Sequence, residues 1–179
     1  MRYTSTKLTD KKINDLVKFG ESNKEIQTQN DLIKSLYDVY KTRSNTYLIS
    51  AYENKKMIGT ITVVNLADSN GLKHSAAAQD LLSQMKIDQS DCATIDQMFT
   101  TDKTIKTDLL AKAEEVAVKN GFKYFLLFCY NSIGLYNFHK EYFDERFIDT
   151  GVKDPAHLRG FDEFYTDTNL ILVKLNNGE

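Results

Sequence analysis

The chain has 179 residues, 41% of them hydrophobic, which is enough for one substantial core and points to a single domain of ordinary size, 1–179. Its 23 basic and 25 acidic residues are scattered and nearly cancel, to a net charge of −2, so no basic run tracks a phosphate backbone and no nucleic-acid partner is expected. No apolar stretch reaches the ~20 residues that a membrane span needs, and the opening MRYTSTKLTDKK is too polar for a signal peptide, so a cytoplasmic protein without a membrane partner is expected.

Arg2 to Leu8 is rich in Thr and reads as an opening strand, after which Thr9-Asp10 offers N-cap chemistry for a helix carrying Ile13, Leu16 and Val17. A second helix is expected over Asp31 to Tyr40, with Leu32, Ile33, Leu36, Tyr37 and Tyr40 on one stripe. Thr46 to Tyr52 and Met57 to Val64 are β-rich runs joined by the polar loop Glu53-Asn54-Lys55-Lys56, a hairpin. From Asn65 to Asp91 the pattern weakens into a helical insertion, with a helix over His74 to Lys86 that puts Leu81, Leu82 and Met85 on one side. Ala93 to Phe99 then reads as a strand, and Ile105, Leu109, Ala113, Val116 and Ala117 recur at helical spacing up to Asn120-Gly121, which stops the helix begun near Thr104. Tyr124 to Tyr130 is apolar throughout and suits a strand covered on both faces. Leu135, Phe138, His139 and Tyr142 place a helix over Ile133 to Phe143, and Phe147 to Val152 and Asn169 to Leu175 are the closing strands.

Cys92 and Cys129 fall in predicted strands and are expected as reduced, buried small hydrophobes; two cysteines do not make a metal site, and no metal is expected. No Ser-His-Asp spacing or nucleotide-binding glycine fingerprint is present. The element order describes an α/β protein with a mixed sheet and helices on both faces.

That order, together with the hairpin TYLISAYENKKMIGTITVV, the strand ATIDQMFT, the helix end KNGFKYFLLF and the segment NSIGLYNFHK, resembles the GNAT superfamily of acyl-CoA N-acyltransferases over about Thr46 to Gly151. The resemblance implies a GNAT-like fold and acetyl-CoA as cosubstrate. A small-molecule or peptide amine would be the acceptor, and a homodimer is one assembly open to it. In the family the pantetheine arm adds like a strand to the end of the first central strand, here Met98, Phe99 and Thr100. The pyrophosphate lies on the following helix N-terminus, where orphan N–H groups and the dipole favour an anion. The family's Gln/Arg-x-x-Gly-x-Gly/Ala turn is replaced here by Thr101, Thr104 and Lys106, so the hydroxyls of Thr101, Thr104 and Thr107, with Lys103 and Lys106, are the candidate phosphate donors. A solvated helix start capped by Thr is the alternative.

Acyl transfer needs an unprotonated amine, donors for the oxyanion and an acid for the departing thiolate. Tyr136 matches the family's Leu-Tyr position and is the candidate acid, with simple packing as the alternative; Asn131, nearby, matches the family's Asn as a cofactor contact. Asp96, alternating with apolar residues on its strand, is the candidate acceptor of the amine's proton, or else a partner for a Lys or a backbone group. His139 reads as a packed helix residue. The two functional readings are an acetyltransferase and a catalytically inactive module of the same fold.

Overall fold

The computed structural model describes residues 1–22, 46–73, 75–130, 134–154 and 168–176. The helix expected over Asp31 to Tyr40 lies outside these residues, as do His74, Asn131 and His157. The chain divides into two compact units, Met1–Val64 with Ile95–Val116, and Asn65–Thr94 with Ala117–Glu179.

In the first unit, Thr9 opens helix α1 (Asp10–Ser22): its hydroxyl accepts from Lys12 N at 3.4 Å, an amide with no partner inside the helix, and its carbonyl accepts the first helical bond, from Ile13 N at 3.0 Å. Ile13, Leu16 and Phe19 follow at helical spacing and are buried, with Leu16 and Phe19 packed against Met57 and Phe99. Strands β1 (Arg2–Lys7), β2 (Thr46–Glu53) and β3 (Lys56–Asn65) form antiparallel ladders, and the strand order is β1-β2-β3-β4, where β4 is Cys92–Thr100. The hairpin is tighter than its sequence suggests. Glu53 pairs with Lys56, which leaves Asn54 and Lys55 as a two-residue turn with both φ positive, 49° and 67°, the twist that matches right-handed strands.

Beyond β4 a short 3₁₀ turn, Lys103–Ile105, leads into the helix Lys106–Lys119, so the α-helix starts two residues later than Thr104. Ile105, Leu109, Ala113, Val116 and Ala117 are all buried, as the periodicity requires, and Leu110 joins them. Ile105 and Leu109 can come down on β3 because residue 59 is glycine. A Cβ there would stand 2.7 Å from Ile105 Cδ1, 3.1 Å from Leu109 Cδ1 and 3.1 Å from Thr100 Oγ1.

In the second unit the 65–91 segment folds as a 3₁₀ turn (Leu66–Asp68), helix α2 (Asn70–Lys73), helix α3 (Ala76–Met85) and a second 3₁₀ turn (Gln89–Asp91); the helix Lys106–Lys119 is α4. Leu66, Leu72, Ala78, Leu81 and Leu82 join Cys92, Leu126, Leu170 and Leu172 in one core. Met85, expected beside Leu81 and Leu82, is 41% exposed instead. Helix α3 ends at Lys86 in the left-handed conformation, and the returning chain (Ile87 N to Leu82 O, 3.0 Å) brings Ile87 onto the core in its place. The start of α3 is held by Ser75, whose hydroxyl accepts from Ala78 N at 2.9 Å and donates to the buried carboxylate of Asp154.

Strand β4 runs parallel to β5 (Tyr124–Tyr130) through Cys92↔Tyr124 and Ala93↔Phe125, with α4 between them in the chain. Gly121, at φ +86°, stops α4, and Phe122 N reaches back to Ala117 O at 3.1 Å. Phe125, Leu126, Leu127 and Cys129 are buried, as expected of a strand covered on both faces. Helix α5 (Leu135–Phe143) follows from Gly134 at φ +66°; then β6 (Phe147–Asp154) and β7 (Thr168–Lys174) complete the order β4-β5-β7-β6. Among the described residues no helix is long and apolar enough to cross a membrane.

Candidate active site

The expected site residues divide between the units. In the first unit, Met98, Phe99 and Thr100 end β4, each half-buried, and Phe99 packs against α1. The threonines that follow are turned toward the protein. Thr101 donates to Ile58 O through both its amide (2.9 Å) and its hydroxyl (3.1 Å), while Thr100 Oγ1 accepts from Asp102 N at 2.9 Å and shares its proton between Ile58 O and Asp102 O. Thr104 Oγ1 donates to Asp102 Oδ1 at 2.7 Å, and Thr104 N donates to the same oxygen at 2.8 Å. The cap at this junction is therefore Asp102, not a threonine, and these bonds hold its carboxyl below the usual carboxylate range. The hydroxyls of Thr101 and Thr104, expected to donate to phosphate, already have acceptors. Lys103 is exposed and Lys106 half-buried beside them, and Asp108, in the first turn of α4, accepts from Tyr3 Oη at 2.8 Å. Asp96 is half-buried on β4 and already engaged in an interaction.

In the second unit Tyr136 lies in the first turn of α5, half-buried, with its ring edge-on to Phe147 (centroids 5.2 Å apart, planes at 89°). Its hydroxyl donates to Asp149 Oδ2 at 2.6 Å, the length of a charge-assisted bond. The other carboxylate oxygen accepts from Gly151 N at 3.0 Å. The hydrogen bond to Asp149, then burial and the aspartate's charge, raise the Tyr136 pKa above its ordinary value; the same bond and the Gly151 amide lower that of Asp149. At neutral pH the pair is a phenol and a carboxylate, with the phenolic proton directed at Asp149.

Asp149 was not among the residues expected from sequence. Its signal is local: in Asp149-Thr150-Gly151 the carboxylate caps the amide two residues on, an Asx turn, and Gly151 sits at φ +68° where β6 shifts register against β7 between Asp149 and Lys153. Asp102 has a similar signal, an N-cap residue two places before the Thr104 amide. His139 is packed as expected, 3% exposed and stacked on Phe143 at 5.8 Å. Its Nδ1 has no hydrogen-bond partner among the described residues, and burial lowers its pKa to about 4. Cys92 and Cys129 are unpaired and buried, each pushed up to about 12, which leaves no thiolate nucleophile at neutral pH. Among the described residues no group of three or more His, Cys, Asp or Glu is placed to share a metal ion.

No protein-family model and no curated protein sequence matches the chain. Solved structures do. The N-acetyltransferase PaiA of Thermoplasma acidophilum in complex with coenzyme A aligns over 97% of this chain and 99% of its own, at 16% identity and a TM-score of 0.53. Tetrahymena GCN5 aligns over 100% and 99%, at 13% identity and a TM-score of 0.56. A spermidine N-acetyltransferase chimera from Vibrio cholerae and hSSAT aligns over 96% of each chain, at 12% identity and a TM-score of 0.59. With its mixed sheet, its parallel β4–β5 pair and the helix that links them, the chain has the fold of the GNAT N-acetyltransferases.

Proposed function

We propose that the protein transfers an acetyl group from acetyl-CoA to an amine acceptor. The observation that carries this reading is the parallel β4–β5 pair with α4 between its strands, the frame on which enzymes of this fold work. On the first unit, the end of β4 at Met98, Phe99 and Thr100 would hold the pantetheine arm through its backbone, and Lys103 and Lys106, with Thr101 and Thr104, would attract the pyrophosphate. Asn131 is a proposed cofactor contact on sequence alone. Tyr136, on the second unit, is the proposed acid for the thiolate, and Asp96, on the first, the proposed acceptor of the amine's proton.

One contact at the start of α4 counts against the pyrophosphate. Asp102 supplies an anion of its own to the Thr104 amide, the kind of group that an incoming phosphate would use. That contact favours the second reading, a module of the same fold without catalysis. Thermal unfolding with increasing acetyl-CoA or free CoA distinguishes the two at the binding step, since a ligand that binds only the folded chain raises its stability with concentration. An acetyltransferase gives a rising midpoint and releases free thiol when polyamines, amino sugars or peptide N-termini are added. A chain that shows neither at millimolar acetyl-CoA is not one.

A further inference from the structure

Helix α5 owes little of its stability to its own ends. It is nine residues long, it follows Gly134 with no side-chain cap, and it stops at Asp144 with φ 49° and ψ −119°, a corner that glycine takes freely and aspartate takes at a cost. A helix this short is marginal by itself, so packing holds it. The elements packed on it are β5, the 3₁₀ turn Asp144–Arg146 and β6. Phe143 is its anchor. The ring is buried, meets Phe125 of β5 edge-on at 6.4 Å and Tyr142 at 4.8 Å, and carries the Arg146 guanidinium 5.4 Å from its centroid.

His139 lies in the same cluster, stacked on Phe143 and tilted against Phe138 at 5.4 Å. An imidazolium has an N–H on each ring nitrogen. Nδ1 is buried without a hydrogen-bond partner among the described residues, so in the packed helix that N–H would have nothing to receive it. The charge would also sit in an apolar interior, on a ring that already carries Arg146. Packed α5 therefore holds His139 neutral well below the pH at which a solvated imidazole is charged, about 6.5. Lifting the helix off its neighbours gives His139 water and lets it take up the proton.

We propose that α5 is an acid-released latch: protonation of His139 detaches the helix as a unit, hinged at Gly134 and Asp144, and parts Tyr136 from Asp149 while the β5–β7 ladder stays closed. The latch is independent of the acetyltransferase reading and holds whether or not the chain binds acetyl-CoA. Of the charged groups around it, Lys140, Glu141, Asp144 and Glu145, on α5 and its turn, are exposed, and Arg146 lies over Phe143. Strand β5 brings the Cys129 thiol, neutral until far above pH 7, and β6 brings Asp149. Asp149 adds to the effect at its acid end: the Tyr136 hydroxyl helps to lower its pKa, so freeing it takes up a further proton near and below about pH 4. Burial holds the packed His139 pKa at about 4. Between that value and about 6.5 the open form binds one proton more than the packed form, so the opening constant rises about tenfold for each pH unit lost.

Amide hydrogen exchange of the full chain at several pH values across this window tests the latch, each rate divided by the chemical exchange rate at the same pH to give an opening constant. For Phe138 to Phe143 the expected constant rises about tenfold per pH unit as the pH falls, and stays about tenfold or more above that of the β5 and β7 amides throughout. His139→Leu should flatten the rise, and His139→Met serves equally if the leucine chain does not fold. The parent chain decides by itself as well. A constant for α5 that does not rise, or that coincides with the constant of β5 and β7, overturns the latch, and so does a rise that survives the loss of His139.

Discussion

The carboxylate of Asp102 takes two hydrogen bonds from one residue, Thr104, through its amide at 2.8 Å and its hydroxyl at 2.7 Å. The helix start that should receive a phosphate thus carries a built-in negative charge, flanked by Lys103 and Lys106. Asp102→Asn keeps a side-chain oxygen for the cap and removes the charge, so thermal stability changes little. Acetyl-CoA binding should tighten a few-fold at low salt, as expected for an anion near a helix N-terminus. Titration calorimetry checks this, and an unchanged affinity means that the pyrophosphate does not approach the loop.

The two lysines predict the salt response. Charge attraction at an exposed site is screened over about 10 Å at 0.1 M salt, so acetyl-CoA binding to the parent should weaken as salt rises. Removing both charges, Lys103→Ala with Lys106→Ala, should flatten the dependence of log affinity on log salt. A slope equal to that of the parent places the anion elsewhere.

Gly59 lets α4 come down on β3. Gly59→Ala should cost about 1–3 kcal/mol, because the new methyl meets the ends of Ile105 and Leu109 in a packed interior. Ile105→Val, which removes the Cδ1 atom 2.7 Å from the new methyl, should restore part of the loss in the double variant, with urea unfolding as the measurement. A fully additive pair would show that the contact is not the cause.

His139 predicts one component of acid sensitivity. In the unfolded chain an imidazole takes up a proton near pH 6.5, whereas buried His139 resists until about pH 4. Between these values the unfolded state holds more protons, so stability falls as the pH drops through this window, by up to about 3 kcal/mol from this group. Above the window it contributes no slope. His139→Leu keeps an apolar side chain beside Phe143 and should flatten the profile between pH 6.5 and 4 relative to the parent, as read by urea unfolding at several pH values. Identical profiles would remove His139 as a cause.

How much of this was legible in the sequence follows from what each feature depends on. The α4 stripe, the Asn120-Gly121 stop and the apolar run of β5 are set by local spacing and cap chemistry, and the structure places all three as read. The hairpin was right in its strands and too long in its loop, because cross-strand pairing extended to Glu53 and Lys56. Met85 was misplaced because periodicity does not register that a helix ends beneath it. Asp102 and Asp149 were missed for another reason. Each acts through hydrogen bonds that its side chain accepts, and for Asp149 the Tyr136 partner is 13 residues away, across a helix and a 3₁₀ turn. Tyr136 could be singled out from sequence, but where its proton points is a property of the fold.

Strand β7 lies between β5 and β6, yet follows both in the chain. During synthesis the ribosome therefore delivers β5 and β6 before the strand that separates them. Until residues 168–174 arrive, the apolar edge of β5, which will pair Tyr124 to Tyr130 with Lys174 to Thr168, stays unsatisfied, and so does the edge of β6. Exposed strand edges are templates for wrong partners, so a chain stalled before Thr168 would offer two of them at once, and aggregation is its expected hazard.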